Sequence, residues 1–547
     1  MSASARALWA WAAAVVVVLL TYGTALSHPF LESHDDALYI VHNPAVTDGW
    51  PAVTAAWTRF HVGNWAPLHI LSYALDHALF GLRPSAFVLE NLLLHAVNTV
   101  LLAGLVERLG AGRLAAAVAA LAFAVHPVQV ESAVWISQRK NVLAMAFFLA
   151  AIHLYLAYRA GARWRWYGLS LAAAAAALLT KSVAVVLPLA LVAVDIALDR
   201  RLPTARRLAD KVPYLALAAA AAVVAFVSQS PEAGGGRVAY HGGGPFATFL
   251  TMTTVVPRYL GLLVWPASLS AEYAPTIRTG LDGAVAGGVA LLVALAAAGV
   301  LLLRSSPRRF AWYALFFLGL LPVLQIVPLV TLMNDRYLYF PMLGAAALAG
   351  EAVALAMARL GRAGRRALAG ATVAAIVLLG ARAHARVRVW RSDVALWSDA
   401  VAREPRGKKA WFNFGRALEA SRAYPEALAA YERALALDPR ESDALVNAAA
   451  MHVTLGSPRE AEGLLERAVA LPAPPYEAWF NLALVRYQLG DLDAADEPLA
   501  AAIALEPTWC QGHRLRVELL RRRGGEALAK DARRLAQSLG CSGDSPR

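Results

Sequence analysis

Two adjacent carboxylates, Asp35 and Asp36, follow the first long apolar segment of the chain. A carboxylate at that point could abstract a proton from an acceptor hydroxyl. Consecutive side chains on a helix point about 100° apart, so only one of the two can be the base. The other would orient the substrate or bind a metal. A solvated acidic loop start is the alternative interpretation.

A second polar segment, residues 126–140, contains Glu131, Trp135 and Arg139 at steps of four. This spacing predicts one shared helical face. We expect Glu131 to join the catalytic carboxylates by orienting the acceptor or a metal, and Arg139 to bind a phosphate. The alternative is an Arg139–Glu131 surface pair with Trp135 as an interfacial anchor.

Two further cations, Lys181 and Arg336, lie close to long apolar runs. An ionisable residue next to such runs is expensive and therefore a functional candidate, although Lys181 could also be a snorkelling residue in a tight turn. Arg and Lys stabilise the charge that gathers on a leaving phosphate. A base and several cations beside apolar segments therefore predict group transfer from a lipid-linked phosphate donor.

The composition places these residues in a membrane protein. Of 547 residues, 59% are apolar and 16% are charged, whereas a soluble domain carries about 25% charged residues. Apolar blocks of bilayer-crossing length, roughly 20 residues, stop near residue 381. We predict an all-α fold: a polytopic membrane helix bundle of about 11 spans in residues 1–382, a linker at 383–407 and a soluble domain at 408–541.

The charge pattern predicts the orientation. The net charge of +13 comes from arginines clustered in short loops, which is typical of the cytoplasmic side of membrane proteins and does not point to nucleic acid as a partner. We interpret residues 246–266, interrupted by Pro257 and Arg258, as interfacial or re-entrant. An odd number of spans then places the first loop and the C-terminal domain outside the cytoplasm.

A period of 34 residues organises the C-terminal domain, as Trp411, Leu445 and Trp479 show. This period, with small residues and a closing proline, indicates tetratricopeptide repeats (TPRs) at 408–441, 442–475 and 476–509 and a capping segment at 510–541. Three amides share one repeat position and could bind an acceptor peptide, although Asn could also simply belong to the repeat consensus: Asn413, Asn447 and Asn481. The two cysteines, Cys510 and Cys541, permit one disulfide and give no metal-site spacing.

Several short motifs precede the repeats in a fixed order: Asp35-Asp36 with Asn43-Pro44, Asn91-Leu92-Leu93-Leu94-His95-Ala96-Val97-Asn98, His126-Pro127 with Glu131, Trp135 and Arg139, Lys181 with Pro188 and Asp195, and Arg336-Tyr337-Leu338-Tyr339-Phe340-Pro341. Together with the repeats they resemble the transmembrane and TPR-repeat O-mannosyltransferases and their bacterial relatives, which are GT-C glycosyltransferases. Ser182 and Val88 depart from that pattern, which often has Glu and His there.

The resemblance implies an inverting transfer of a sugar, mannose by default, from a polyprenyl phosphate to Ser or Thr of exported proteins. It points to Asp35-Asp36 as the catalytic signature and to repeats on the lumenal or periplasmic side of a membrane, here a bacterial inner membrane. Arg139, Lys181 and Arg336 would hold the donor phosphate, and the repeats would recruit the acceptor protein. Dependence on a divalent metal stays open. A non-catalytic TPR scaffold, or a transporter using Lys181 and Asp195, is the alternative.

Overall fold

The structure is a computed structural model that describes residues 3–32, 35–161, 163–230 and 238–541. The chain divides into two compact units, Met1–Asp399 and Ala400–Arg547. Both are helical, and the described residues contain no β-strand, which confirms the predicted all-α class. Residues 383–407, predicted as a linker, include the end of the helix Arg362–Val387 and the helix Asp393–Arg403.

Nine helical segments among the described residues are long and apolar enough to cross a membrane. They are Trp9–Ser27, Pro84–Arg108, Ile136–Gly161, Ser182–Asp199, Ala205–Ser228, Pro245–Val264, Gly283–Ser305, Met342–Arg359 and Arg362–Arg391. The bent pair Arg113–Val125 and Pro127–Val134 makes a tenth if it counts as one span. A polytopic bundle is confirmed, with nine or ten candidate spans where about 11 were expected.

Two further helices of the membrane unit are shorter than these segments. The helix Pro307–Leu320 has 14 residues and is followed by a 3-10 turn. Pro322 has no backbone N–H, so the hydrogen-bond ladder of the α-helix stops there. The helix Trp164–Thr180 has 17 residues, slightly fewer than the roughly 20 that cross a bilayer without distortion.

Residues 246–266 were interpreted as interfacial or re-entrant, and the re-entrant alternative is wrong: most of the segment belongs to one continuous 20-residue helix, Pro245–Val264, which is long and apolar enough to cross a membrane. Pro257 leaves the carbonyl of Thr253 without its usual donor four residues on. Gly288 of the helix Gly283–Ser305 packs directly on that carbonyl, and a Cβ atom at Gly288 would lie 2.2 Å from its oxygen. The lack of a side chain at Gly288 therefore lets the two helices approach closely at this point. The predicted orientation was based on a number of spans that left this helix out, so counting it as a span changes the number of membrane crossings.

The shared helical face predicted for Glu131, Trp135 and Arg139 is also wrong. One helix covers Val130–Val134, Trp135 is extended (φ −72°, ψ 119°), and the next long helix starts at Arg139. The ring of Trp135 stacks on Trp390, with centroids 5.6 Å apart. Glu131 and Arg139 therefore face different surroundings and form no pair with each other.

The C-terminal unit contains four helix pairs, which confirms the predicted repeat solenoid. The pairs are Lys408–Ala420 with Tyr424–Leu437, Ser442–Thr454 with Pro458–Val469, Tyr476–Leu489 with Asp496–Leu505, and Cys510–Arg522 with Glu526–Ser538. Alanines at the 34-residue step, such as Ala427 and Ala461, are fully buried between the helices. A disulfide joins Cys510 to Cys541 and so closes the fourth pair.

The Gly288 contact predicts a specific packing defect. We expect Gly288→Ala to lower the Tm of the protein in detergent, because a methyl group cannot fit against the Thr253 carbonyl and overpacking costs about 1–3 kcal/mol. Gly287→Ala is the matched control, since a Cβ at Gly287 meets nothing within 4 Å. Equal Tm values for the two variants would contradict the proposed contact.

Candidate active site

A cavity of about 540 Å³ lies within the membrane unit and is lined by three cations, Lys140, Lys181 and Arg336. Apolar side chains of the helices Trp164–Thr180 and Val212–Ser228 form much of the remaining wall. They include Leu178, Leu179, Leu217, Ala221 and Val224. A cavity with cations and apolar walls suits an anion that is attached to a hydrocarbon chain.

Lys181 follows the last residue of the helix Trp164–Thr180. Its Nζ donates a hydrogen bond to Oδ1 of Asn141 at 2.5 Å. Burial lowers the pKa of Lys181 well below its usual value, and the nearby charges of Lys140 and Arg336 lower it further. A bound anion would relieve this repulsion and favour the charged form of the lysine.

Arg336 lies in the 3-10 turn Asp335–Leu338 and is held by Glu131. The backbone N–H of Arg336 donates to Oε2 of Glu131 at 2.8 Å, and its Nη1 donates to Oε1 at 2.5 Å. The guanidinium also lies over the ring of Trp135, 5.6 Å from the centroid. Glu131 is almost completely buried. Its carboxylate therefore fixes a cation of the cavity and does not itself line the cavity.

Asp36 ties the first loop to the segment around Ser137. Its carboxylate accepts hydrogen bonds from the backbone N–H of Leu31 at 3.0 Å, the N–H of Ser137 at 3.0 Å and the hydroxyl of Ser137. The break at Trp135 takes Ser137 out of a regular α-helix, so its N–H can bond this side chain. Burial raises the pKa of Asp36 to about 6, although these hydrogen bonds lower it in part.

Asp35 is only half-buried and lies in a different environment from Asp36. The charge of Asp35 influences Arg336, which lines the cavity. Burial disfavours the charged form of Arg336, but Glu131, Tyr337 and Asp35 together raise the pKa of this residue. The two neighbouring carboxylates therefore have separate surroundings. Asp36 is enclosed by three donors, whereas Asp35 keeps partial solvent access near a cation.

Arg139 does not line the cavity. Its guanidinium is fully buried and forms ion pairs with Asp76 at 2.6 Å and Glu90 at 3.0 Å. Its Nε also donates to Oδ1 of Asn91 at 3.0 Å. The next residue, Lys140, lines the cavity instead. The pair of adjacent cations was visible in the sequence, but which of them points inward depends on the break before Arg139.

Sequence reasoning also missed three neutral polar residues of the cavity wall, Tyr39, His69 and Asn141. The ammonium group of Lys140 lies over the ring of Tyr39, 4.6 Å from its centroid. Nothing in the local sequence distinguishes these residues from ordinary interior residues. Among the described residues, no group of three or more His, Cys, Asp or Glu side chains is arranged to hold a metal ion.

The three repeat asparagines occupy the first helix of successive repeats. Asn413 is buried, while Asn447 and Asn481 are half-buried. Nδ2 of Asn447 donates to the hydroxyl of Tyr431 at 3.4 Å. A shared position is therefore present, and at Asn447 part of the amide already contacts its own repeat stack.

The environment of Asp36 predicts a pH-dependent stability. A carboxyl whose pKa is raised from 3.8 to about 6 in the folded protein stabilises the fold below the lower value, and this contribution is lost as the pH rises to the higher value. The two-unit difference corresponds to roughly 3 kcal/mol. We expect the Tm of the wild type to fall relative to that of Asp36→Asn as the pH rises from about 4 to about 6. Above that range the difference between the two Tm values should stay constant. A constant difference would contradict the raised pKa.

Comparison with protein-family profiles gives a match to the family described as dolichyl-phosphate-mannose-protein mannosyltransferase (PMT_2) over residues 64–228. Two tetratricopeptide-repeat profiles match residues 408–441 and 476–508. The PMT_2 segment includes Glu131 and the cavity residues Lys140 and Lys181. It ends before Arg336.

Several curated relatives are named protein O-mannosyl-transferases. The chain is 35% identical over 147 residues to TMTC1 of Mus musculus, a match that covers 25% of this chain and 15% of that protein. It is 34% identical over 147 residues to TMTC1 of Homo sapiens, covering 25% and 16%, and 36% identical over 92 residues to TMTC3 of Mus musculus, covering 17% and 10%. The similarity therefore spans less than one fifth of the length of these relatives.

Among solved structures, the crystal structure of MamA protein is 17% identical, with 27% of this chain and 80% of that chain covered and a TM-score of 0.26. YrrB, titled a TPR protein with an unusual peptide-binding site, is 22% identical, with 27% and 75% covered and a TM-score of 0.25. The chain therefore combines a segment that matches the PMT_2 profile with C-terminal segments that match tetratricopeptide-repeat profiles, and it is similar to TMTC1 and TMTC3 over part of their length.

Proposed function

We propose that the protein is a membrane-embedded glycosyltransferase that transfers a sugar, mannose by default, from a polyprenyl-phosphate donor to Ser or Thr of proteins outside the cytoplasm. The observation that carries this proposal is the cavity, which combines three cations with apolar walls. The PMT_2 match over much of the cavity and the names of the relatives support the same reaction class.

The donor phosphate would lie among Lys140, Lys181 and Arg336. Each cation is held by a neighbouring residue. Lys140 lies over the ring of Tyr39, and Lys181 donates a hydrogen bond to Asn141. Arg336 is paired with Glu131. Such fixed cations stabilise the charge that develops on the leaving phosphate without reorganising during the reaction. The polyprenyl chain would follow the apolar wall of the cavity toward the bilayer.

In the proposed reaction, Asp35 accepts the proton of the acceptor hydroxyl. The hydroxyl oxygen then forms a bond to C1 of the sugar, and the bond between C1 and the phosphate oxygen breaks. Its electron pair leaves with the polyprenyl phosphate, so attack opposite this group inverts the configuration at C1. Asp36 acts as a positioning residue, because its contacts with Leu31 and Ser137 hold the loop that carries Asp35.

The repeat unit would recruit the acceptor protein on the extracytoplasmic side, with Asn413, Asn447 and Asn481 as candidate contacts for an extended peptide. The Cys510–Cys541 disulfide supports this side. Disulfides persist in oxidising compartments and are rare in the cytosol. In a bacterial inner-membrane protein, the oxidising side is the periplasm.

Substitution of Asp35 tests the transferase. We expect Asp35→Asn to lower glycosylation of exported proteins by about 100-fold or more, because a general base typically contributes at least that factor. The measurement is intact-mass glycoproteomics of exported proteins from a deletion strain complemented with the wild type or a variant. Loss of a hexose-sized mass on Ser/Thr peptides in the deletion strain, restored by the wild type and not by Asp35→Asn, is the expected result.

Asp48→Asn is the matched control, since Asp48 is an exposed carboxylate of the same loop. It should restore glycosylation like the wild type. Unchanged glycans in all strains would contradict the transferase and favour the scaffold, whose partners would then be captured with residues 400–547.

The disulfide predicts how the cysteines react in intact cells. We expect a membrane-impermeant maleimide to label Cys510 and Cys541 only after reduction, because both thiols are joined in the native protein and lie outside the cytoplasm. The mass added per chain is read on a gel. A Cys510→Ser variant should free Cys541 for labelling without reduction. Labelling only after the cells are permeabilised would place the repeats in the cytoplasm.

A further inference from the structure

The imidazole of His69 is a buried part of the cavity wall that the proposed reaction does not yet use. It belongs to the helix Pro67–Phe80 of the first loop. Its ring packs against Tyr39 and Tyr73, with centroids 5.2 Å and 4.7 Å apart. These contacts on two sides leave the ring little freedom to rotate, so its nitrogen atoms have defined directions.

The hydrogen bonds of Tyr73 determine the tautomer of His69. The Tyr73 hydroxyl donates its single proton to the carbonyl oxygen of Ile136 at 2.7 Å. Its oxygen, 3.0 Å from Nε2 of His69, must therefore accept a proton from that nitrogen. Nε2 thus carries the hydrogen, and Nδ1 is a lone-pair acceptor.

Nδ1 of His69 is buried and has no hydrogen-bond partner among the described residues. Burial lowers the pKa of His69 well below 6.5, and the charges of Lys140, Arg139 and Lys181 lower it further. The ring is therefore neutral at physiological pH, and Nδ1 stays an acceptor. A buried acceptor without a donor costs free energy, which a ligand hydroxyl or N–H would recover.

The chemistry of the sugar donor limits which of its groups could donate a hydrogen bond to Nδ1 of His69. Ionised phosphate oxygens only accept hydrogen bonds, and a polyprenyl chain has no donor at all. The donor of the hydrogen bond must therefore be a hydroxyl. The sugar carries hydroxyls and is attached directly to the phosphate, so it would lie beside the cations that line the same cavity as His69. The Ser or Thr hydroxyl of the acceptor is the other possible source.

We propose that Nδ1 of His69 accepts a hydrogen bond from a hydroxyl of the donor sugar and thereby discriminates the glycosylated lipid from the bare lipid phosphate. This inference rests on the proposed function. It makes His69 a specificity residue, since a site built to bind a hydroxyl rejects an analogue that lacks it.

The test measures lipid binding by the full-length protein in nanodiscs, without any acceptor. The probes are a polyprenyl phosphate and the same lipid carrying mannose, glucose or galactose. We expect the wild type to bind its preferred hexose lipid about tenfold more tightly than the bare phosphate, the effect of one well-made hydrogen bond to a buried acceptor. A donor lacking the hydroxyl that His69 binds should lose this advantage.

Two substitutions separate the two ring nitrogens. His69→Gln can keep a donor to Tyr73 and loses the Nδ1 acceptor, so we expect it to bind both lipids alike. His69→Asn puts an amide oxygen near the Nδ1 position and should keep part of the preference. His77→Gln on the same helix is the matched control, since His77 does not line the cavity; it should behave like the wild type.

The outcomes distinguish the two levels of the proposal. Binding of neither lipid by the wild type would overturn the proposed function itself. Binding of both without a preference, or an equal loss of both in His69→Gln, would overturn the role of His69 and leave the phosphate site standing. Unchanged lipid discrimination in His69→Gln, with a higher KM for an acceptor peptide alone, would show that the hydroxyl belongs to Ser or Thr of the acceptor.

Discussion

The ion pair between Glu131 and Arg336 joins two turns that are 205 residues apart in the chain. Glu131 binds both the backbone and the guanidinium of Arg336, so it fixes the turn Asp335–Leu338 as well as the side chain. Either charge alone would be costly in this buried environment, because leaving a buried ion without its partner destabilises the protein by several kcal/mol. The position of the cationic wall of the cavity depends on this pair.

Other buried charges of the membrane unit are neutralised locally. Arg139 is matched by Asp76 and Glu90, and Asp195 by Arg159 and Lys211. The cavity differs, because Arg336 is paired with Glu131 from behind the wall, whereas Lys140 and Lys181 have no carboxylate beside them among the described residues that line it. Such an imbalance is costly in a membrane protein, and an anionic ligand would correct it. The charge excess therefore distinguishes this site from the structural ion pairs around it.

Features encoded by neighbouring residues were predictable from the sequence, and features set by distant contacts were not. The 34-residue period gives the repeats because each helix pair packs on the next pair along the chain. The inward direction of Lys140, in place of Arg139, depends on the break at Trp135, which stacks on Trp390 far away in sequence. Similarly, Pro257 suggested an interrupted span, whereas the helix continues through it and packs closely against Gly288 of another helix. His69 gave no signal, since its tautomer is determined by Tyr73 and Ile136.

The disulfide at the end of the repeat unit also affects how that unit resists unfolding. In a linear array each helix pair is stabilised by its internal contacts and by its contacts with adjacent pairs, and a pair frays when these contacts are lost. A covalent link across 31 residues removes about 4 kcal/mol of chain entropy from the frayed state in the loop-entropy description. The fourth helix pair can therefore open only as a closed ring. Oxidation thus gives this pair a covalent constraint that the three preceding pairs do not have.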